Sequence, residues 1–183
     1  MSLLERRRAV LGAKGSSIDW ESIARGMIDG VTEFSIPSSV AINTALANGM
    51  ANRNVISVDI SEGNTLITTY YFSTCLKLVN VTFPSTLTTL NNNCFQGCRG
   101  PTTITLPSTI TTYGTGVFFG CTALKEAIVE AVTPPTAGAN LFQSCTALTA
   151  IYVPDASVSA YQAASGWSTY ASIIKGISER PSE

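Results

Sequence analysis

The five cysteines are the residues of this sequence most able to do chemistry, because thiolates ligate metals, form disulfides and act as nucleophiles. Four of them recur at a nearly constant spacing, each three positions after a phenylalanine. These Phe-x-x-Cys pairs are Phe72/Cys75, Phe95/Cys98, Phe118/Cys121 and Phe142/Cys145. Stacked repeats would place the thiols in a line with steps of about 4.8 Å rather than at the corners of a tetrahedron. We therefore expect a buried ladder of free thiols and no metal site.

A metal site or disulfide bonds formed by these thiols are less well supported by the spacing. Cys94 and Cys98 are the only close pair, and two further ligands for a metal are missing. Stacked neighbours would fall within the Cα separation of a disulfide, but their Cβ vectors would run parallel, which is poor geometry for an S–S bond. An unpaired cysteine behaves as a small hydrophobic residue, which agrees with a core position.

Other catalytic chemistry finds little support in the residue types. The chain has no histidine, which removes the usual general base and the commonest metal ligand. Glu126 and Glu130, like Asp59 and Glu62, are neighbours in sequence, whereas a glycosidase needs two carboxyl groups that face each other across a cleft. Glycine-rich phosphate loops and nucleophile elbows are absent from the sequence. We expect no enzymatic activity and no cofactor.

Composition narrows the class of protein further. Apolar residues make up 45% of the 183 residues, as in globular proteins, whereas charged residues make up only 13%. The net charge is −1 and the only basic run is 6–8, which argues against nucleic acid as the main partner. No apolar run approaches the ~18 residues of a membrane span. Only Ala9, Val10 and Leu11 follow the arginines, so we expect that this segment is not a signal peptide.

The elements that would hold these residues follow from a second pattern, apolar-x-x-apolar-x-apolar, which begins three positions after the cysteine of each Phe-x-x-Cys pair and also occurs in two earlier copies. It occurs in six copies at a nearly constant interval of about 23 residues. The copies are Val31/Phe34/Ile36, Val55/Val58/Ile60, Leu78/Val81/Phe83, Pro101/Ile104/Leu106, Leu124/Ala127/Val129 and Leu148/Ile151/Val153. The last two apolar positions of each copy are two apart, so they point to one face of an extended strand. One copy cannot bury this face alone, so the copies must stack with their strands parallel.

The repeat therefore predicts an α+β repeat solenoid, a stack of about six 23-residue rungs with a parallel β-sheet over residues 31–154. Pro101 and Ala127 fill their apolar positions poorly, so we expect the fourth and fifth rungs to be the loosest. Residues 1–30 and 155–183 are predicted to form short helical caps at the two ends.

Each predicted cap has a sequence signal. Trp20, Ile23 and Met27 would lie on one face of an N-terminal helix that begins at Asp19 and would seal the first rung. Asp155 would be the N-cap of a helix over about residues 156–164. Trp167 and Tyr170 would then cover the open end of the last rung.

These motifs (Phe-x-x-Cys-x-x-Leu-x-x-Ile-x-Leu-Pro-Ser-Thr-Ile-x-x-Ile) resemble the BspA-type, or Treponema-pallidum-type, leucine-rich repeats over about residues 31–177. The resemblance implies a leucine-rich-repeat solenoid in a surface-exposed bacterial protein that attaches to host matrix or to other cells. The first rungs depart from the family, because the stretch around 49–51 replaces Phe-x-x-Cys. Residues 2–14 resemble the starts of virion proteins from phages of gut Firmicutes, which implies a phage tail in which residues 1–30 dock the protein.

A binding surface is predicted on the outward face of the sheet. Between the core positions lie residues that stacking aligns into rows, and such extended surfaces are where repeat proteins bind. The candidates are Asn80, Thr82, Thr103, Thr105, Glu126, Ile128 and Tyr152. Hydroxyl and amide groups suit a sugar or a polar protein surface, and an exposed aromatic at Tyr152 would mark a contact. The alternative is that the threonines are good strand formers that face water.

Two hypotheses for function follow. The first is a recognition module that binds a protein or glycan on a cell surface, as part of a phage tail or a bacterial surface adhesin. The second is a structural virion or assembly protein in which the solenoid is a spacer or decoration. Both place the protein on a virion or a bacterial surface, and both are compatible with a homo-oligomer.

Overall fold

The computed structural model describes residues 33–36 and 55–182. Each of the six rungs contributes one long strand, and four of them add one short strand. The long strands are β1 (Glu33–Ile36), β2 (Ser57–Ile60), β4 (Asn80–Thr82), β6 (Thr103–Leu106), β8 (Glu126–Val129) and β10 (Ala150–Val153). The short strands are β3 (Leu66–Ile67), β5 (Thr89–Leu90), β7 (Thr112–Tyr113) and β9 (Thr136–Ala137). Every pair of neighbouring strands is parallel.

The strand register confirms the predicted repeat. Glu33 pairs with Ser57 and Ser57 with Asn80, so each step along the stack equals one interval of the sequence pattern. Thr103 pairs with Glu126 and Glu126 with Ala150 in the same way. The stacked rungs with parallel strands are therefore confirmed, whereas the predicted N-terminal helical cap lies outside the described residues.

A column of phenylalanine rings runs through the core. Phe72 stacks on Phe95 with ring centroids 5.0 Å apart, Phe95 on Phe118 at 5.5 Å, and Phe118 on Phe142 at 5.3 Å. All four rings are buried, because each rung places its phenylalanine directly over that of the rung before. This column couples successive rungs through apolar contact.

The predicted ladder of buried thiols runs beside the ring column. The Sγ of Cys98 donates a hydrogen bond to the carbonyl oxygen of Phe72 at 3.1 Å. Two more thiols repeat this bond one rung later each, from Cys121 to Phe95 and from Cys145 to Phe118. All five cysteines of the chain are free and buried. Burial raises the pKa of Cys94 and that of Cys98 far above the ordinary thiol value, so both remain protonated and unreactive.

The chain segments that carry the four Phe-x-x-Cys pairs each have left-handed backbone at two positions. The first position is taken by Tyr70, Asn93, Gly116 and Asn140, and the second by Thr74, Gly97, Gly120 and Ser144. Side chains with a Cβ are strained in this region, and β-branched ones most of all. Thr74, at a φ of 59°, is therefore the most strained occupant of the second position.

Thr74→Gly is expected to raise the free energy of unfolding by about 1 kcal/mol, because glycine adopts positive φ without steric cost. Gly120→Thr is the matched reverse change, since a Cβ at Gly120 meets no atom within 4 Å and its φ of 70° strains the threonine. It should lower the stability by a similar amount in urea unfolding. Equal stability of all three proteins would show that these positions carry no strain.

The long-strand sheet is interrupted between β4 and β6. These strands belong to different sheets and share no ladder hydrogen bonds, whereas the short-strand sheet β3-β5-β7-β9 is continuous. Pro101 supplies the physical reason. Leu78, Leu124 and Leu148 each close the preceding turn by donating a backbone N–H to a cysteine carbonyl, and Pro101 has no N–H to donate. The strand of the fourth rung therefore does not pair with that of the third. We also expected the fifth rung to be loose, but its strand is paired on both sides and its Ala127 is buried.

The C-terminal cap consists of one α-helix, α1 (Val158–Ala163), 3-10 turns at Asp155–Ser157, Ser168–Ile173 and Ile177–Glu179, and strand β11 (Ile174–Gly176). Trp167 is fully buried and its Nε1 donates to the carbonyl of Pro135 at 2.8 Å, so the predicted closure of the last rung is confirmed. Tyr170 adds to it, because its hydroxyl accepts the backbone N–H of Phe142.

Two details of this cap differ from the sequence prediction. The expected N-cap role of Asp155 is wrong, because its Oδ1 accepts the backbone N–H of Ser178 at 3.1 Å and makes no cap bond to the helix. Strand β11 was not predicted, and it extends the sheet by pairing with β10. None of the helices in the described part of the chain is long and apolar enough to span a membrane.

Candidate ligand-binding face

Among the candidate residues, those at the centre of the outward face are the exposed ones. Asn80 and Thr82 on β4, and Thr103 and Thr105 on β6, are all exposed, as the alternation of the strands predicts. These four side chains flank the interruption of the sheet on both sides. They offer three hydroxyl groups and one amide, with no formal charge.

The interruption leaves a gap between β4 and β6, called the cleft below, which has polar side chains at its rim and partly exposed apolar side chains beneath them. Val81 on β4 is only partly buried, although the matching residues Val58 and Ala127 of other rungs are fully buried. Phe83 is also partly buried, and its ring contacts Phe95 edge-on with centroids 5.9 Å apart. The short strands β5 and β7 of the same two rungs remain paired. Backbone groups along the facing edges of β4 and β6 are free of ladder hydrogen bonds and available to a ligand.

The C-terminal end of the face is covered by the chain itself. Tyr152, expected to be exposed, is only 4% exposed, and Ala150 beside it is buried as well. The Nε of Arg180 donates to Oε2 of Glu126 on β8 at 3.0 Å. Strand β10 lies between β11 and β8, so the tail after β11 crosses the outward side of β10 to reach Glu126. The prediction of Tyr152 as an exposed contact residue is therefore wrong.

Glu126 and Ile128 form the margin of the face. Both are half-buried, and the Arg180 guanidinium neutralises the Glu126 carboxylate. Glu126 and Glu130 therefore do not form a free acid/base pair. Within residues 33–36 and 55–182, no three His, Cys, Asp or Glu side chains come close enough to hold a metal ion.

A turn after β4 that binds a carboxylate was not predicted from the sequence. Glu62 reaches from the rung before, and its Oε1 accepts the backbone N–H of Ser85 at 2.8 Å. Its Oε2 accepts the Ser85 hydroxyl at 3.0 Å and the Thr86 N–H at 3.2 Å. These bonds, led by the one from the Ser85 N–H, lower the pKa of Glu62. The Pro-Ser-Thr sequence signalled a turn, but not that its donors would face a side chain of the preceding rung.

Parallel rungs of nearly constant length, a ladder of buried apolar side chains and a capped C-terminal end define a leucine-rich-repeat protein. The sequence matches the BspA type Leucine rich repeat region, in six copies, over residues 47–165. The match covers well over half of the chain, so the chain belongs to the BspA-type leucine-rich-repeat family. No curated protein sequence matches the chain.

Solved structures share the fold. The T. pallidum leucine-rich-repeat protein TpLRR is 19% identical with a TM-score of 0.57, over 81% of this chain and 65% of that one. The pneumococcal vaccine antigen PcpA is 21% identical with a TM-score of 0.53, over 67% of this chain and 30% of that one. A leucine-rich-repeat protein from Bacteroides ovatus is 22% identical with a TM-score of 0.54, over 67% and 37%. The chain thus spans less than two thirds of each of these proteins.

Proposed function

We propose that this protein is a non-catalytic recognition module that binds a protein or glycan on a cell surface. The observation that carries the proposal is the cleft between β4 and β6. It sets Asn80, Thr82, Thr103 and Thr105 beside backbone groups that have no ladder partner. An array of neutral donors and acceptors suits a hydroxyl-rich or polar ligand, because each unpaired group gains a hydrogen bond on binding.

A place on a bacterial surface is the setting that the family membership favours for this module. Similar solved structures include a vaccine antigen of a bacterium, which agrees with exposure to a host. The residues that resemble phage virion proteins lie outside the described part of the chain, so a phage tail remains a prediction, as does the alternative of a structural virion protein. Glu126 and Ile128 would extend the contact at its C-terminal margin.

The test places a lysine inside the cleft. Thr82→Lys and Thr105→Lys are each expected to weaken binding about tenfold or more, because a long charged side chain fills the cleft and must be desolvated. Thr112→Lys is the matched control, since Thr112 is an exposed threonine of β7 on the opposite sheet. Binding is measured on an array of neutral and acidic glycans and on immobilised matrix proteins. Equal losses in all three variants, or no loss in the first two, would contradict the proposal.

A further inference from the structure

The turn that holds Glu62 recurs one rung later without a carboxylate. In the third rung, Pro84-Ser85-Thr86 closes through a hydrogen bond from the Leu87 N–H to the Pro84 carbonyl at 3.2 Å. In the fourth rung, Pro107-Ser108-Thr109 closes through the same bond from Ile110 to Pro107 at 3.1 Å. The two turns therefore share the same three residues and the same closing backbone hydrogen bond.

What differs between the two turns is the residue that each meets in the rung before. The strand register places Ser85 before the fourth-rung turn where Glu62 stands before the third-rung turn. The Ser85 hydroxyl is already bonded to Glu62. In the described structure, the N–H groups of Ser108 and Thr109 and the Ser108 hydroxyl therefore have no acceptor.

The threonine of the turn also differs between the two rungs. The Thr86 hydroxyl accepts the Gly63 N–H at 2.9 Å and donates to the Asn64 carbonyl at 3.0 Å. The matching Oγ1 of Thr109 is buried and makes no hydrogen bond. The counterpart of the Gly63 N–H is the Thr86 N–H, which is bonded to Glu62, so the Thr109 hydroxyl loses this partner.

We propose that the Pro107–Thr109 turn binds a carboxylate group of a ligand. The carboxylate would accept the Ser108 and Thr109 N–H groups and the Ser108 hydroxyl, as Glu62 does one rung earlier. The turn follows directly after β6, so it lies at the rim of the face that carries Thr103 and Thr105. The carboxylate comes either from an acidic side chain of a protein or from an acidic sugar. The site stands on its own donors and does not require the cleft to be the main binding surface.

The test is an NMR titration of the full chain with sodium acetate, with sodium chloride at the same ionic strength as reference. The amide signals of Ser108 and Thr109 are expected to shift in a saturable way, whereas those of Ser85 and Thr86 should not respond, because Glu62 occupies their turn. Shifts no larger than those in chloride would overturn the proposal. A response at all four amides of the unmodified protein would overturn it as well, since it would show unspecific ion binding.

Two variants change which turn is occupied by a carboxylate of the chain: one empties the third-rung turn, and the other fills the fourth-rung turn. Glu62→Ala should make the Ser85 and Thr86 amides respond to acetate. Ser85→Glu should abolish the response of Ser108 and Thr109, because it supplies the carboxylate from within the chain. Failure of both changes to move the response would refute the assignment. Titrations with glucuronic acid and with an N-acetylated aspartyl peptide then identify the source of the carboxylate. The compound that saturates the Ser108 shift at the lower concentration represents the preferred class of ligand. Equal saturation supports a site that recognises the carboxylate alone.

Discussion

Phe95→Ala is expected to lower the free energy of unfolding by about 3–5 kcal/mol, the cost of a large cavity in a packed core. The ring of Phe95 is 2% exposed and stacks between Phe72 and Phe118, with centroid distances of 5.0 and 5.5 Å. It also supports Phe83 below the cleft. Each rung contacts only its neighbours, so this cavity weakens two rung interfaces at once.

Urea unfolding of matched variants measures this effect. Leu76→Ala is the control, because Leu76 belongs to the preceding rung and is 45% exposed, so its truncation should cost less than about 1 kcal/mol. Phe95→Leu keeps part of the volume and should fall between the two. A loss for Phe95→Ala no larger than that for Leu76→Ala would mean that the ring column does not couple the rungs.

Trp167→Ala is the second change with a large expected effect, again about 3–5 kcal/mol. Trp167 contacts Tyr161 and Tyr113 edge-on, with centroids 5.0 and 5.7 Å apart, and bonds the Pro135 carbonyl. It covers apolar surface that the last rung would otherwise expose. Because stability in a solenoid propagates from rung to rung, the loss should appear first near this end of the stack.

Hydrogen exchange distinguishes this local effect from general destabilisation. In Trp167→Ala, amides of β10 and β9 should exchange much faster while those of β2 change least. Trp167→Phe keeps most of the apolar contact but loses the bond to Pro135, so it should cost less than the alanine change. Uniform acceleration along the whole chain would contradict a capping role for Trp167.

The sequence predicts the core of this protein well because the repeat specifies it in every rung. A residue such as Ile151 or Leu106 has equivalent neighbours in the rungs beside it, so its inward direction follows from spacing alone. The thiol ladder is predictable for the same reason, since cysteines at one position of each rung must stack. In a solenoid, residues one repeat apart in the sequence contact each other in the fold, so the sequence pattern predicts tertiary contacts.

The candidate site was predicted less completely, because its shape depends on departures from the repeat. Pro101 was expected to weaken its rung, but its spacing does not say that the pairing is lost between β4 and β6 and kept between β6 and β8. Tyr152 was placed on the outward face by alternation, which holds, yet its burial comes from a tail that crosses β10 to bring Arg180 to Glu126. Neither the crossing nor β11 has a periodic signal, so spacing alone could not reveal them.

The most direct test of the central claim is hydrogen exchange of the protein with and without a ligand found on the glycan array or among the matrix proteins. Recognition through the cleft predicts that slowing of exchange on binding is concentrated in Asn80–Thr82 and Thr103–Leu106. The facing edges of these two strands have no ladder partner in the free protein and gain one from the ligand. Protection confined to the segments that carry the Phe-x-x-Cys pairs, or to residues 1–30, would contradict recognition through this face.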